Sequence, residues 1–595
     1  ILILNSVIKN GIYSDMKVNI ILTFNIILMV MATPEVYSQV EKGQIEDPVE
    51  YFKKRTEALS LAKSEKWQEL IPFAEKLTQQ YQMDGDLFYI LGLSYYETEQ
   101  YQSSIEALKQ TLNCGGTILN DIPTGSAPSN DIMIKIAKGY ALIGDKSNAL
   151  LWLQKGFSAR YDEKPFLRND PVFKDFGEDE DFLQLFGYKN QVRLTRKEAW
   201  ISDLEYLEKR INELHYNPYH LISKATFDKS ISKLKSNIGA LSEEEIVVEL
   251  MKIFGGLGNG HNLIIPTTLK SVSIKRLPVQ FYQFDDGIFV VDAEEDFKQW
   301  IGYELKSIGS ILAEEALQIT NAVNARDNDM QTLWLGPYYM GLPGVLAGLG
   351  IIDNKNRVQL ILKDTKGRSQ KVIMTPITWN FNGFPKMPQL KNEAQPIYLS
   401  KMNDPYWYKL MKEENSIYIQ LNSVTNKENQ TLSDFNVELR KQIAKNETQN
   451  LILDLRHNHG GDGSLLPPML KALNRFEVMN PKGKIFVIMG RETFSAGHNL
   501  LTKITQYTSP ILVGEPSGSK PNHIGESGWF QLPYSGLMGL ISTQFHQDSK
   551  AEDNRKWISP HIPVTLSSTD YFNGNDKALG IIKNLIKTAE NRNTN

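Results

Sequence analysis

The sequence predicts a multidomain chain in which an all-α repeat region, a helical subdomain, a small β-rich domain and an α/β core follow one another. Three observations predict it. Apolar residues recur at helical spacing from Asp47 to about Gly187 and carry an internal repeat. Short alternating runs, broken by Gly and Asp/Asn turns, occupy 275–378. From Ser416 onward apolar strands alternate with helices, which implies a mostly parallel sheet with function in the loops after the strands' carboxyl ends. The 595 residues suffice for about four domains. Hydrophobic residues at 41% and charged residues at 23% exclude wholesale disorder. A net charge of −4 with no long basic run excludes a phosphate-tracking surface, so nucleic acid is not an expected partner. The single cysteine, Cys114, excludes an intramolecular disulfide and a thiolate zinc cluster.

Residues 1–15 are expected to lie upstream of the true start. Met16-Lys17, the apolar stretch Val18 to Ala32 and the exit Pro34 to Ser38 resemble a secretory signal peptide over 16–38, because the apolar part is shorter than the ~20 residues of a membrane span. Cleavage is expected near Ser38-Gln39, giving a periplasmic or secreted protein with no membrane span in its mature form. In 47–190, Leu91-Gly92-x-x-Tyr95 followed by Ser104, Leu108 and Thr111 is repeated as Ile136-Ala137-x-x-Tyr140 followed by Ala149, Leu153 and Gly156. These resemble tetratricopeptide helix pairs, interrupted by a loop from Gly115 to Asn130, and imply a protein partner on the repeats. The helical subdomain, 192–265, contains the periodic Trp200 to Leu214 and a helix capped by Ser242, and it ends in the glycine-rich turn Phe254 to His261. Residues 275–378 form the β-rich domain, in which Met340 to Gly350 is either a carboxylate-binding nest or a flexible loop. Phe384 to Pro396 is the linker to the core, 400–590.

Two core loops carry chemistry. Leu451 to Gly461 is a strand running into Arg456, Asn458 and two glycines; Ile485 to Gly497 is a strand whose following turn places Ser495 at a helix start. A serine there suits a nucleophile, because helix-start N–H groups stabilise a developing oxyanion, or it simply caps the helix. His457-x-His459 and His498 lack a carboxylate or thiolate at ligand spacing, so no metal and no cofactor is expected. Arg456 and Asp454 are expected to anchor the strand end.

The core resembles the serine peptidases that include the C-terminal processing (tail-specific) peptidases, the tricorn core and the interphotoreceptor retinoid-binding proteins. The resemblance covers about 192–590. It rests on Asp454-Leu-Arg-x-Asn458-x-Gly-Gly461, Thr493-Phe-Ser-Ala-Gly497, Val513-Gly-Glu-Pro-Ser-Gly-Ser-Lys-Pro-Asn522, Phe530 to Gly536, Ile541 to Phe545, Ser559 to Pro563 and Asp570-Tyr-Phe-x-Gly-x-Asp576. It implies a crotonase-like (ClpP-like) spiral core, a PDZ-like β-rich domain in degenerate form, Ser495 as nucleophile, and the N–H groups of Gly460 and Ala496 as oxyanion hole. For the general base it offers His261, in the tricorn-like Gly258-Asn-Gly-His261 turn, and Lys520, 25 residues after Ser495. His261 is preferred, because a lysine base must be buried and Ser517 to Asn522 looks exposed. Glu515 and Glu526 are the candidates to orient it. The expected function is a serine-type peptidase acting on a peptide or protein substrate through an acyl-enzyme. The alternative is a peptidase-like binding protein whose repeats recruit a partner.

Overall fold

The computed structural model describes residues 47–114, 129–189, 194–379, 386–390, 395–446 and 448–593. The expected signal segment 16–38, most of the loop from Gly115 to Asn130 and part of the expected linker lie outside the described residues. The described residues divide into two compact units, one within 47–161 with 171–175 and the other within 162–170 with 176–593.

Among the described residues of the first unit six helices follow one another: Pro48–Lys63, Trp67–Gln80, Gly85–Glu97, Tyr101–Cys114, Ser129–Leu142 and Lys146–Ser158. Asp47, Asp84 and Asp145 each accept a backbone N–H of the helix that follows, supplying the orphan donors of its first turn. Neighbouring helices approach closely where the repeated small residues fall. A Cβ on Gly92 would lie 2.7 Å from Leu108, and one on Gly156 2.6 Å from Ile134, while the Ser104 hydroxyl donates to the Gly92 carbonyl at 2.8 Å.

The second unit opens its helical part with Arg196–Leu214, Lys224–Asn237 and Glu243–Leu257. The last starts in a reciprocal cap between Ser242 and Glu245 and stops at Gly258, whose φ of 69° favours glycine. Five residues later begins strand β1 (Leu263–Ile265), followed by β2 (Lys275–Arg276). Strands β3 (Val279–Phe284), β4 (Gly287–Ala293), β5 (Glu304–Ile308), β6 (Ile311–Leu312), β7 (Val358–Lys363) and β8 (Ser369–Met374) make an antiparallel sheet in the order β3-β4-β5-β7-β8, with β6 on β5; β9 (Ile377–Thr378) pairs with β2. The glycine-rich stretch expected as a nest or loop is helical instead. Met330–Met340 and Pro343–Gly348 are helices, and Gly344 and Gly348 permit close packing: an added Cβ would lie 2.1 Å from Glu244 and 2.6 Å from Val248.

The core sheet runs β10-β11-β12-β13-β14-β17, from β10 (Tyr406–Met411), β11 (Ser416–Leu421), β12 (Asn450–Asp454), β13 (Lys484–Met489), β14 (Ile511–Gly514) and β17 (Ile562–Pro563). Only the β10–β11 pair is antiparallel. Every residue of β11 and β12 is buried, as parallel strands covered on both faces must be. Helices Leu432–Lys445, Pro467–Met479 and Ser495–Tyr507 supply one apolar layer and Lys577–Asn593 contributes to another. Two ten-residue strands, β15 (Asn522–Gln531) and β16 (Met538–Gln547), form a hairpin whose β16 also pairs with β1. No helix among the described residues is long and apolar enough to cross a membrane.

Candidate active site

Ser495 follows β13 through the turn 490–494. Thr493 fixes that turn: its hydroxyl donates to the Leu455 carbonyl at 2.9 Å and accepts from the Gly490 N–H at 3.0 Å. Ser495 itself has φ +50°, a left-handed conformation that costs a residue with a Cβ on the order of 1 kcal/mol or more. The helix it begins has Phe494 as N-cap and no side-chain cap bond, so its hydroxyl is not a helix cap. Ser495 Oγ instead lies 3.0 Å from Nε2 of His261, a contact between residues 234 apart in sequence.

The imidazole of His261 is held by packing. It stacks on Phe494 at 4.5 Å and on His523 at 5.8 Å, nearly parallel to the latter at 11°. Gly525 leaves it room, since a Cβ there would stand 3.1 Å from the ring. The turn before it is fixed by Asp327, which accepts the Gly260 N–H at 2.8 Å and the Ser519 hydroxyl at 3.0 Å. After it, Asn262 accepts the Ser542 N–H at 2.8 Å, tying the turn to β16. Its Nδ1 is buried without a hydrogen-bond partner among the described residues. Burial pushes the His261 pKa well below the ordinary imidazole value, and the neighbouring His523 and His546 push it the same way. The ring is therefore neutral at neutral pH, and its Nε2 is able to take the Ser495 proton.

The other expected site residues are placed as follows. Glu515 does not orient His261: it is engaged by Arg491, with Nε to Oε2 at 2.8 Å and Nη2 to Oε1 at 2.5 Å, because both residues leave the adjacent parallel strands β13 and β14. Glu526 does not either; the imidazole of His546 lies 3.7 Å from its carboxylate. Lys520 is half-buried and makes no hydrogen bond to Ser495, and its carbonyl faces Nδ1 of His523 at 3.2 Å. Of the two expected oxyanion donors, the Ala496 N–H has no protein acceptor among the described residues. The Gly460 N–H donates to Asn458 Oδ1 at 2.9 Å, so it reaches a substrate oxygen only in exchange for that bond. Gly460 nevertheless stands against the serine: a Cβ there would lie 2.5 Å from Ser495 Cβ, and its φ is +105°.

The loop residues between β12 and the serine turn form two buried charge clusters. Arg456 donates to Asp454 and, through both terminal nitrogens, to Asp576, while Tyr418 donates to Asp454 at 2.7 Å; these groups anchor the strand end. His457 and His459 meet a carboxylate that no spacing in the sequence announces. Glu492 Oε2 accepts from His457 Nδ1 at 2.9 Å and His459 Nε2 at 3.0 Å, from a residue on the next loop. Burial alone would raise the Glu492 pKa, but the two imidazoles, His457 foremost, hold it well below the carboxylate range. No group of three ligating side chains able to hold a metal occurs among the described residues.

A cavity of about 310 Å3 opens beside Ser495 and His261, walled by Leu263, Ala325, Leu335, Tyr339 and Leu540. Asp327 and His523, which build this site, are absent from the sequence expectation: no spacing marks them, and only the tertiary fold brings them to the turn.

Acid should loosen the unit that holds this site. His261, His498 and His523 all have pKa values lowered from 6.5, chiefly by burial. Below that value the unfolded chain binds protons that the folded chain refuses, so stability is level above pH ~6.5 and falls as the pH drops beneath it. Glu492 adds a second loss as pH falls below its ordinary 4.5, where the unfolded carboxylate takes up a proton first. Melting temperature measured against pH should show both declines, and His498→Gln should flatten the first; an unchanged slope in that variant would contradict the assignment.

No family model matches the chain, and no curated protein matches it. Among solved structures, mature CPAF complexed with lactacystin is similar at 12% identity and a TM-score of 0.49, covering 67% of this chain and 99% of that one. The photosystem II D1 C-terminal processing protease is similar at 10% identity and a TM-score of 0.31, over 65% of this chain and 99% of that one. The tricorn protease is similar at 11% identity and a TM-score of 0.30, over 66% of this chain and 37% of its own.

Proposed function

We propose that the protein is a serine peptidase that hydrolyses peptide bonds through an acyl-enzyme on Ser495. The observation that carries this is the 3.0 Å contact between Ser495 Oγ, at a strained helix start, and Nε2 of an imidazole kept neutral by burial. His261 takes the hydroxyl proton as Oγ attacks the substrate carbonyl. The oxyanion forms beside the Ala496 N–H, joined by the Gly460 N–H when Asn458 releases it. His261 then gives its proton to the leaving amine, which departs as the acyl-enzyme forms. A water molecule, activated by the same nitrogen, releases the acid and restores the serine. Stacking on Phe494 and His523 aims the ring, which is the orienting part of what a carboxylate on Nδ1 does in the usual triad.

Within this proposal the core sheet with its helices is crotonase-like, the β3–β8 sheet is a degenerate PDZ-like module, and the N-terminal helix pairs are tetratricopeptide-like and recruit a protein partner. The mature chain begins near Gln39 and acts in the periplasm or outside the cell. The alternative of a non-catalytic binding protein draws on the internal bond of the Gly460 N–H. A serine-reactive phosphonate separates the two: intact mass should show one adduct, mapped to Ser495. Absence of any adduct, together with no hydrolysis of a casein-type substrate, would overturn the peptidase assignment.

A further inference from the structure

Glu526 has no part in orienting His261, yet its placement is unusual. It lies within β15 with φ +57°, a conformation rare for a residue with a Cβ, and the β15–β16 pairing passes from Gly525–Gln544 to Ser527–Ser542 without engaging it. Local strain of this kind is kept where the surrounding structure enforces it, and here the interruption sets Glu526 on the wall of the Ser495–His261 cavity. The rest of that wall is mainly apolar, apart from His261, which faces Ser495, and His459, whose Nε2 is engaged by Glu492. Among the described residues lining it there is no Lys and no Arg, and Glu526 is the one carboxylate. Its side chain is 55% exposed and has only the loose 3.7 Å approach of His546, so a cation in the cavity meets a carboxylate that needs little rearrangement to receive it.

We propose that Glu526 selects substrates carrying a cationic group next to the scissile bond, a lysine or arginine side chain or a free α-amino group. The proposal rests on the peptidase assignment. An anionic side chain at the same place is repelled, and a neutral one gains only the apolar contacts of the wall. Because the carboxylate is half-exposed, the preference is moderate and weakens with salt.

The test uses peptidyl phosphonates that differ in one side chain, lysine, norleucine or glutamate, with the amino end acetylated, plus a norleucine compound with a free amino end. Second-order inactivation rates are measured on the full chain and on Glu526→Gln and Glu526→Lys, with melting temperatures to confirm that each variant is folded. The lysine compound should react about tenfold faster than norleucine in the parent chain, as expected for a charge-assisted contact at a partly wet site. The ratio should fall to near one in Glu526→Gln and turn toward glutamate in Glu526→Lys. A faster free-amine compound identifies the α-amino group as an accepted source of the cation, and an equal rate confines the selection to side chains. Equal rates for lysine and norleucine in the parent chain, or a preference that survives in Glu526→Gln, overturn the role of Glu526 alone. No labelling by any compound overturns the peptidase assignment beneath it.

Discussion

Ser495→Ala is expected to lower peptide hydrolysis by about 10⁴-fold or more while moving the melting temperature by no more than a few degrees. Both halves follow from where the hydroxyl points. Its bond is to His261 and it caps no backbone N–H, so its loss removes a nucleophile but no helix support. Alanine also inherits the φ of +50°, so the strain of the turn is unchanged. Hydrolysis rates and thermal melts of the purified variant check this. Turnover that persists would remove Ser495 from the chemistry, and a large fall in melting temperature would assign the hydroxyl to the fold.

His261→Ala should cost on the order of 10² to 10⁴ in kcat/KM, whereas Lys520→Ala should be mild. The ground is geometric: the imidazole is in contact with Oγ, and the ammonium is not. The pH profile carries independent information. A histidine base at its ordinary value would lose activity as the pH falls through 6 to 7, but burial depresses this one, so the acid limb of kcat/KM should lie below the ordinary 6.5. Were Lys520 the base, the limb would lie higher, and Lys520→Arg would be as damaging as Lys520→Ala because a guanidinium stays protonated. An inactive Lys520→Ala beside a near-normal His261→Ala would reverse the assignment.

The parallel core strands were legible in the sequence because burial on both faces leaves short, nearly unbroken apolar runs such as Ile485 to Met489 and Leu451 to Leu453. Ser495 and His261 were legible as single residues in glycine-rich turns. Their surroundings were not. Glu515 is a plausible orienter by its place at the exit of a core strand, yet Arg491 on the neighbouring strand exit claims its carboxylate, a pairing that only strand order reveals. The two helices within 330–348 were hidden for the opposite reason. Glycines that signal a turn in an isolated segment become contact points when helix Glu243–Leu257 packs against them. The β15–β16 hairpin is not legible as strands in the sequence, since its glycines break the alternation that marks a strand.

The pairing of β1 with β16 bears on the order in which the chain is made. Leu263, two residues after His261, lies opposite Leu540, and Ile265 opposite Met538. During synthesis the imidazole emerges long before the serine, and the serine before the strand that seats the imidazole. A growing chain in which Ser495 is already exposed still lacks residues 538–547, so His261 has no ledge to hold it in place. If the chain is the serine peptidase proposed above, its hydrolytic competence therefore waits for the synthesis of residues 538–547, well after Ser495 itself.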